Sequence, residues 1–155
     1  MKKFLTTMAI SILLLAKTYG QSVYANDQNV ANDGYDVVNY FTNHSAEKGS
    51  LEFTASHAGA TYQFINADHL KQFKENPEQF LPEFDGYCAF AVAKMSKKAP
   101  IDPKTFRIDD GKLYLFYNDL WEGKPFNTIV PWINNEAEME AAADKNWIAI
   151  AEETK

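Results

Sequence analysis

One cysteine and three histidines are the side chains in this sequence with the greatest potential for chemistry: Cys88, His44, His57 and His69. A thiolate combined with imidazole nitrogens suits soft or borderline metal ions such as copper and zinc. A set of Cys88, His69 and His57 would supply three ligands and leave one coordination position open, which is the pattern of an exchangeable metal. Asp36 would add an oxygen ligand or would orient one of the histidines.

Each of these residues also has a simpler interpretation. Cys88 lies in an apolar run, which is typical of a small buried core residue. The alternatives are a metal ligand and a reactive thiol. The reactive thiol needs a neighbouring base or cation to lower its pKa, and no such residue is adjacent in the sequence. The histidines lie in or beside predicted loops and a helix start, where solvent-exposed residues are common. An aspartate such as Asp36, just after a turn, usually accepts hydrogen bonds from backbone N–H groups.

Composition and charge limit the function classes. The chain has 155 residues, of which 46% are hydrophobic and 14% aromatic, so it is neither a disordered tail nor a disulfide-stapled mini-domain. Its net charge of -6 gives no basic field for a phosphate backbone, so we do not expect a nucleic-acid partner. No phosphate-binding loop, dinucleotide fingerprint or hydrolase motif occurs in the sequence, and the argument for an enzyme is therefore weak. A metal ion or a small molecule is the expected partner.

The N-terminus has the pattern of a secretory signal peptide. Lys2 and Lys3 precede an uncharged apolar run over residues 4–16, which is too short to favour a permanent membrane span. Cleavage is expected after Ala25, giving a signal peptide over 1–25, with cleavage after Gly20 as the alternative. Without the three lysines of this segment the 15 basic residues fall to 12 against 21 acidic ones, a net charge of -9. The mature protein is expected to be exported, to the periplasm or beyond the cell.

The first half of the mature chain predicts a strand, a hairpin and a helix. Residues 26–33 form a polar leader, and the aromatic and β-branched residues over 35–41 favour a short strand or an extended segment. Alternation over 51–54 and 61–65, around the Ala58-Gly59 turn, predicts a β-hairpin. A helix should follow. Its cap is Asn66 or Asp68, and its apolar stripe comes from Leu70, Phe73 and Phe80.

The second half predicts a hairpin and a long C-terminal helix. Before them, the run over 87–93 permits either a strand or a short buried helix, of which we favour the helix. The apolar runs over 106–108 and 112–117 flank the Asp109-Asp110-Gly111 turn, which is a strong hairpin signal. Residues 136–153 are rich in alanine and glutamate and predict a helix that docks through Trp147. These elements define an α+β fold, with one domain over 34–134 and a C-terminal helix over 135–155 packed on it.

Two motifs carry a resemblance to a known family. The stretch G-Y-D-V-V-N-Y-F over 34–41 and the stretch G-Y-C-A-F-A-V over 86–92 resemble signatures of the YHS domain family, in its exported single-domain branch. The similarity extends over residues 34–147. It implies a small α+β YHS domain that follows a signal peptide. The style of that signal peptide indicates a bacterial source.

The resemblance also bears on metal binding. Some YHS relatives carry three cysteines associated with heavy-metal binding, and this sequence has Asn39, Ile65 and His69 at the corresponding positions. Because these three cysteines are absent, the resemblance does not by itself imply the heavy-metal binding of those relatives for this protein. The leading expectation is an exported binding protein for copper or zinc, with Cys88 and histidine as ligands. The alternative is a small-molecule or protein interaction module in which Cys88 is a core residue and the aromatic side chains shape a pocket.

Overall fold

The computed structural model describes residues 23–151. Over this range the chain forms five α-helices and three antiparallel pairs of strands, which confirms the predicted α+β fold. Most of the predicted signal peptide lies outside the described residues. Within the described range no helix combines the length and apolar character that a membrane span requires.

Two of the hairpins were predicted from alternation and turn residues. Strand β1 (Ser50–His57) pairs with β2 (Ala60–Phe64), and β3 (Asp102–Asp109) pairs with β4 (Lys112–Phe116). Both turns place a non-glycine residue and then a glycine at positive φ, with values of 48° and 81° for Ala58-Gly59. Glycine adopts this conformation without steric cost, so the predicted turn positions are those the backbone requires.

A third hairpin was not predicted from the sequence. Strands β5 (Asn118–Trp121) and β6 (Lys124–Asn127) are joined by a two-residue turn at Glu122 and Gly123 with φ values of 52° and 76°. Trp121 is 53% exposed, so this hairpin projects an aromatic side chain towards solvent.

The predicted helices after the first hairpin are present. Helix α2 (Ala67–Glu75) begins after Asn66, whose side-chain oxygen accepts from the His69 N–H at 2.8 Å. Helix α3 (Ala89–Met95) confirms the predicted short helix, and a further short helix, α4 (Ile129–Ile133), follows the third hairpin.

The predicted C-terminal helix is present as α5 (Glu136–Ile150). Met139, Ala143 and Ile150 are buried, whereas Ala137 and Ala141 are exposed. Trp147 is half-buried and docks on the rest of the domain, where its ring lies 5.8 Å from that of Phe84.

The strand predicted over residues 35–41 is wrong, because this stretch forms helix α1 (Val37–Thr42). The Asp36 side chain accepts hydrogen bonds from the backbone N–H groups of Val38 and Asn39, which is the geometry of a helix N-cap. The cap and the burial of the helix outweigh the β-propensity of its valines and aromatics. All of Val37, Val38 and Tyr40 are 0% exposed.

The segment preceding residue 34 belongs to the folded domain rather than forming a separate polar leader. Tyr24 donates its backbone N–H to the carbonyl of Asp85 at 2.8 Å, and its ring meets that of Tyr87 edge-on at 5.6 Å. Ala25 forms an isolated bridge with Ala31, which is 1% exposed. The Ala31 N–H donates to the carbonyl of Thr61 in β2 at 2.9 Å, so the N-terminal segment contacts both the β1–β2 hairpin and the Tyr87 segment.

Candidate functional site

Asp36 is the most highly connected of the predicted site residues. Its carboxylate is fully buried and accepts four hydrogen bonds. One oxygen caps α1, and the other accepts from the Ile65 N–H at 2.9 Å and from His69 Nδ1 at 2.7 Å. Asp36 thus fixes the start of α1, the end of β2 and the first turn of α2 at one point.

His69 is held between α1 and α2. Its Nδ1 bonds to Asp36, and its Nε2 lies 3.4 Å from the Thr42 hydroxyl. The residue is 6% exposed. Both ring nitrogens therefore have protein partners, and the Asp36 carboxylate orients the imidazole.

Cys88 lies at the N-terminal boundary of α3 and is fully buried. Its sulfur accepts from the Tyr117 N–H at 3.4 Å and lies 3.5 Å from the Thr128 hydroxyl. Neither partner is a base able to take its proton at neutral pH, so this environment is that of a packed core thiol.

The other two histidines lie elsewhere. His57 ends β1, where its Nε2 is 3.4 Å from a Glu78 carboxylate oxygen and its ring is 5.8 Å from that of Phe73. His44 is exposed in the loop after α1.

The structure does not bring Cys88, His69 and His57 together as ligands of one ion. Within residues 23–151, a single group of three potential ligands has its ligand atoms within 4.8 Å of one another, and it contains none of them. That group consists of Asp109, Glu136 and Glu140. The Arg107 guanidinium already pairs with the first two of these carboxylates. The predicted residues therefore do not fit a shared copper or zinc site.

Cys88 instead borders an apolar pocket of about 190 Å³. The pocket lies between α3, the segment after it and the β5–β6 hairpin. Its lining residues, which define what we call the apolar pocket, are Cys88, Phe90, Ala91, Met95, Ala99, Pro100, Tyr117, Trp121, Phe126 and Thr128.

The outer wall of the apolar pocket was missed in the sequence. Trp121 and Phe126 come from the unpredicted hairpin, and their rings lie 6.4 Å from Tyr117 and 5.9 Å from Phe90. The signal was Gly123 between two short apolar stretches, which is typical of a two-residue hairpin.

No family model, curated protein or solved structure matches this chain. The resemblance to the YHS domain family accordingly stays a prediction that the two sequence motifs carry.

Proposed function

We propose that this protein is an exported binding module and that its ligand is a small apolar molecule, of the size of a monocyclic or bicyclic aromatic, held in the apolar pocket. The observation that carries the proposal is a preformed concave site whose lining surface is almost entirely carbon. Trp121 lies beside it and is exposed, whereas the other large aromatic side chains of the domain are mostly buried. Ligand sites in proteins are typically concave and mostly apolar, with few polar groups.

The size of the pocket supports a ligand of this class. Its volume of about 190 Å³ exceeds the roughly 150 Å³ of an apolar cavity that binds benzene. It is smaller than the roughly 300 Å³ at which drug-sized sites begin, so a large cofactor would not fit. The Thr128 hydroxyl already donates to the Tyr117 carbonyl at 2.9 Å, which leaves an apolar surface to the ligand.

Cys88 is part of the pocket wall in this proposal and is not a metal ligand. Its sulfur is engaged by a backbone N–H and lies beside a hydroxyl, and no histidine is among these partners. Copper or zinc binding through Cys88 and histidine stays a prediction that this arrangement does not support.

Toluene is a suitable probe because it matches the size and the apolar lining. We expect saturable binding, followed by NMR shifts of residues around the pocket and a rise in Tm with toluene concentration. Trp121→Ala removes one exposed wall and should weaken binding by about 1 kcal/mol, or roughly fivefold in Kd.

Ile148→Ala is the matched control, because Ile148 is an apolar residue that is 79% exposed on α5 and does not line the pocket. It should leave toluene binding unchanged. Equal weakening by both variants, or toluene binding that does not saturate, would show that the pocket is not the binding site.

A further inference from the structure

A second cavity, of about 210 Å³, has a different chemistry. It lies between the β1–β2 turn, the segment around Pro82 and the last turns of α5. We call it the acidic pocket and define it by six of its lining residues: His57, Tyr62, Glu78, Glu83, Phe84 and Trp147. It shares no lining residue with the apolar pocket.

Tyr62 gives this cavity a buried polar group that lacks a partner. The residue is 2% exposed, its ring packs 5.0 Å from that of Phe73, and its hydroxyl has no hydrogen-bond partner within the described residues. Leaving such a group unsatisfied costs roughly 1–3 kcal/mol, so it calls for an explanation. Burial, reinforced by the charges of Asp85 and Glu78, raises the pKa of Tyr62, so the hydroxyl stays protonated well above neutral pH.

The walls of the acidic pocket carry more negative than positive charge. Glu83 is half-buried, and burial raises its pKa against a smaller opposing effect of Lys112. A Glu78 carboxylate oxygen lies 3.4 Å from the His57 Nε2. Asp85 also lines the cavity, where the charge of Lys98 offsets part of the effect of burial on its pKa. Among the described residues no lysine or arginine lines the cavity itself.

Aromatic rings complete the walls. Phe84 and Trp147 meet edge-on at 5.8 Å, and both line the cavity. The Lys98 ammonium already lies 5.6 Å from the Trp147 ring centroid, so this indole accepts a cation at one site. Ring faces beside carboxylates favour organic cations through cation–π attraction.

We propose that the acidic pocket binds a small organic monocation of the alkylammonium or guanidinium class, whose N–H groups donate to the Tyr62 hydroxyl oxygen and to Glu83. A bare metal ion fits less well, because no three potential ligand residues of this cavity have their ligand atoms within 4.8 Å of one another. An organic cation distributes its hydrogen bonds over a wider span and places its carbon atoms against Phe84 and Trp147.

The test uses n-butylammonium as the probe and n-butanol as its neutral counterpart, with calorimetry at low salt and neutral pH. We expect saturable binding of the cation alone. Tyr62→Phe removes only the hydroxyl and should weaken binding at least fivefold while leaving Tm unchanged or raised, since that hydroxyl has no hydrogen-bond partner among residues 23–151. Glu83→Gln should weaken binding to a similar extent and serves as the second variant should Tyr62→Phe fail to fold.

Glu138→Gln is the matched control, because Glu138 is an exposed glutamate on α5 outside the cavity. It should leave the affinity unchanged. Absence of saturable binding, equal binding of butanol, or full affinity in both pocket variants would overturn the proposal. Toluene binding at the apolar pocket is measured separately, so failure at one site is distinguishable from failure at the other.

Discussion

Replacing Asp36 with alanine tests the most connected point of the domain. The substitution removes the N-cap of α1 together with the acceptor for the Ile65 N–H at 2.9 Å and for His69 Nδ1 at 2.7 Å. Because the carboxylate is fully buried, water has little access to the donors that it leaves behind.

The expected loss follows from these contacts. Removal of an N-cap costs about 1 kcal/mol, and an unsatisfied buried N–H costs roughly 1–3 kcal/mol. The bond to His69 contributes about as much as other hydrogen bonds to charged groups, roughly 1.5–3 kcal/mol. Because these contributions share one carboxylate and are not additive, we expect Asp36→Ala to lower the free energy of unfolding by about 4 kcal/mol. Asp36→Asn keeps one acceptor oxygen and should cost about 2 kcal/mol.

Equilibrium urea unfolding measures both variants through tryptophan fluorescence. With a slope of about 1.5 kcal/mol/M, Asp36→Ala should lower the midpoint by roughly 2–3 M at an unchanged slope. Asp68→Ala is the matched control, since Asp68 is an exposed aspartate in the first turn of α2, and it should change stability by less than about 0.5 kcal/mol. A loss below about 1 kcal/mol for Asp36→Ala would refute the reasoning, because the four hydrogen bonds would then contribute little.

Two further predictions concern Cys88 and Glu83. Native Cys88 should react with iodoacetamide at least roughly 100-fold more slowly than in urea, because the thiol is 0% exposed and reacts only after opening; similar rates in both conditions would contradict its burial. Burial raises the pKa of the Glu83 carboxyl above 4.5 in the folded state, so the folded state binds this proton more tightly than the unfolded state does. The folded state therefore loses stability as the pH rises from 4.5 through the raised pKa. Glu83→Gln should therefore be more stable than the wild type at pH 7, with the gain vanishing below 4.5, and a gain independent of pH in urea unfolding would speak against this origin.

Local signals in the sequence were sufficient for the hairpins β1–β2 and β3–β4 and for helices α2, α3 and α5. In each case a turn glycine, a cap such as Asn66 or a run of helix formers acts within a few residues. The same local signals gave the wrong prediction for helix α1, because its β-branched and aromatic residues favour a strand. The Asp36 cap lies next to this helix in the sequence, but the burial of the helix against the rest of the domain, which also favours the helical form, is not contained in a window of a few residues.

The candidate sites show the same dependence on distance along the chain. That Asp36 would cap backbone N–H groups or orient a histidine followed from residue type, but its pairing with His69, 33 positions away, required the fold. The partners of Cys88 lie 29 and 40 residues later, at Tyr117 and Thr128, and neither carries a motif. The Tyr62 hydroxyl has no hydrogen-bond partner in the part of the chain that the structure describes, and no sequence pattern indicates this.

The N-terminal contacts make the two predicted signal cleavage positions unequal in their effect on the domain. Cleavage after Ala25 removes the ring that meets Tyr87 and the N–H that donates to Asp85, whereas cleavage after Gly20 leaves both on the mature chain. If the predicted signal peptide is cleaved, the position of the cut would therefore determine whether the folded domain keeps these contacts, and with them part of its stability.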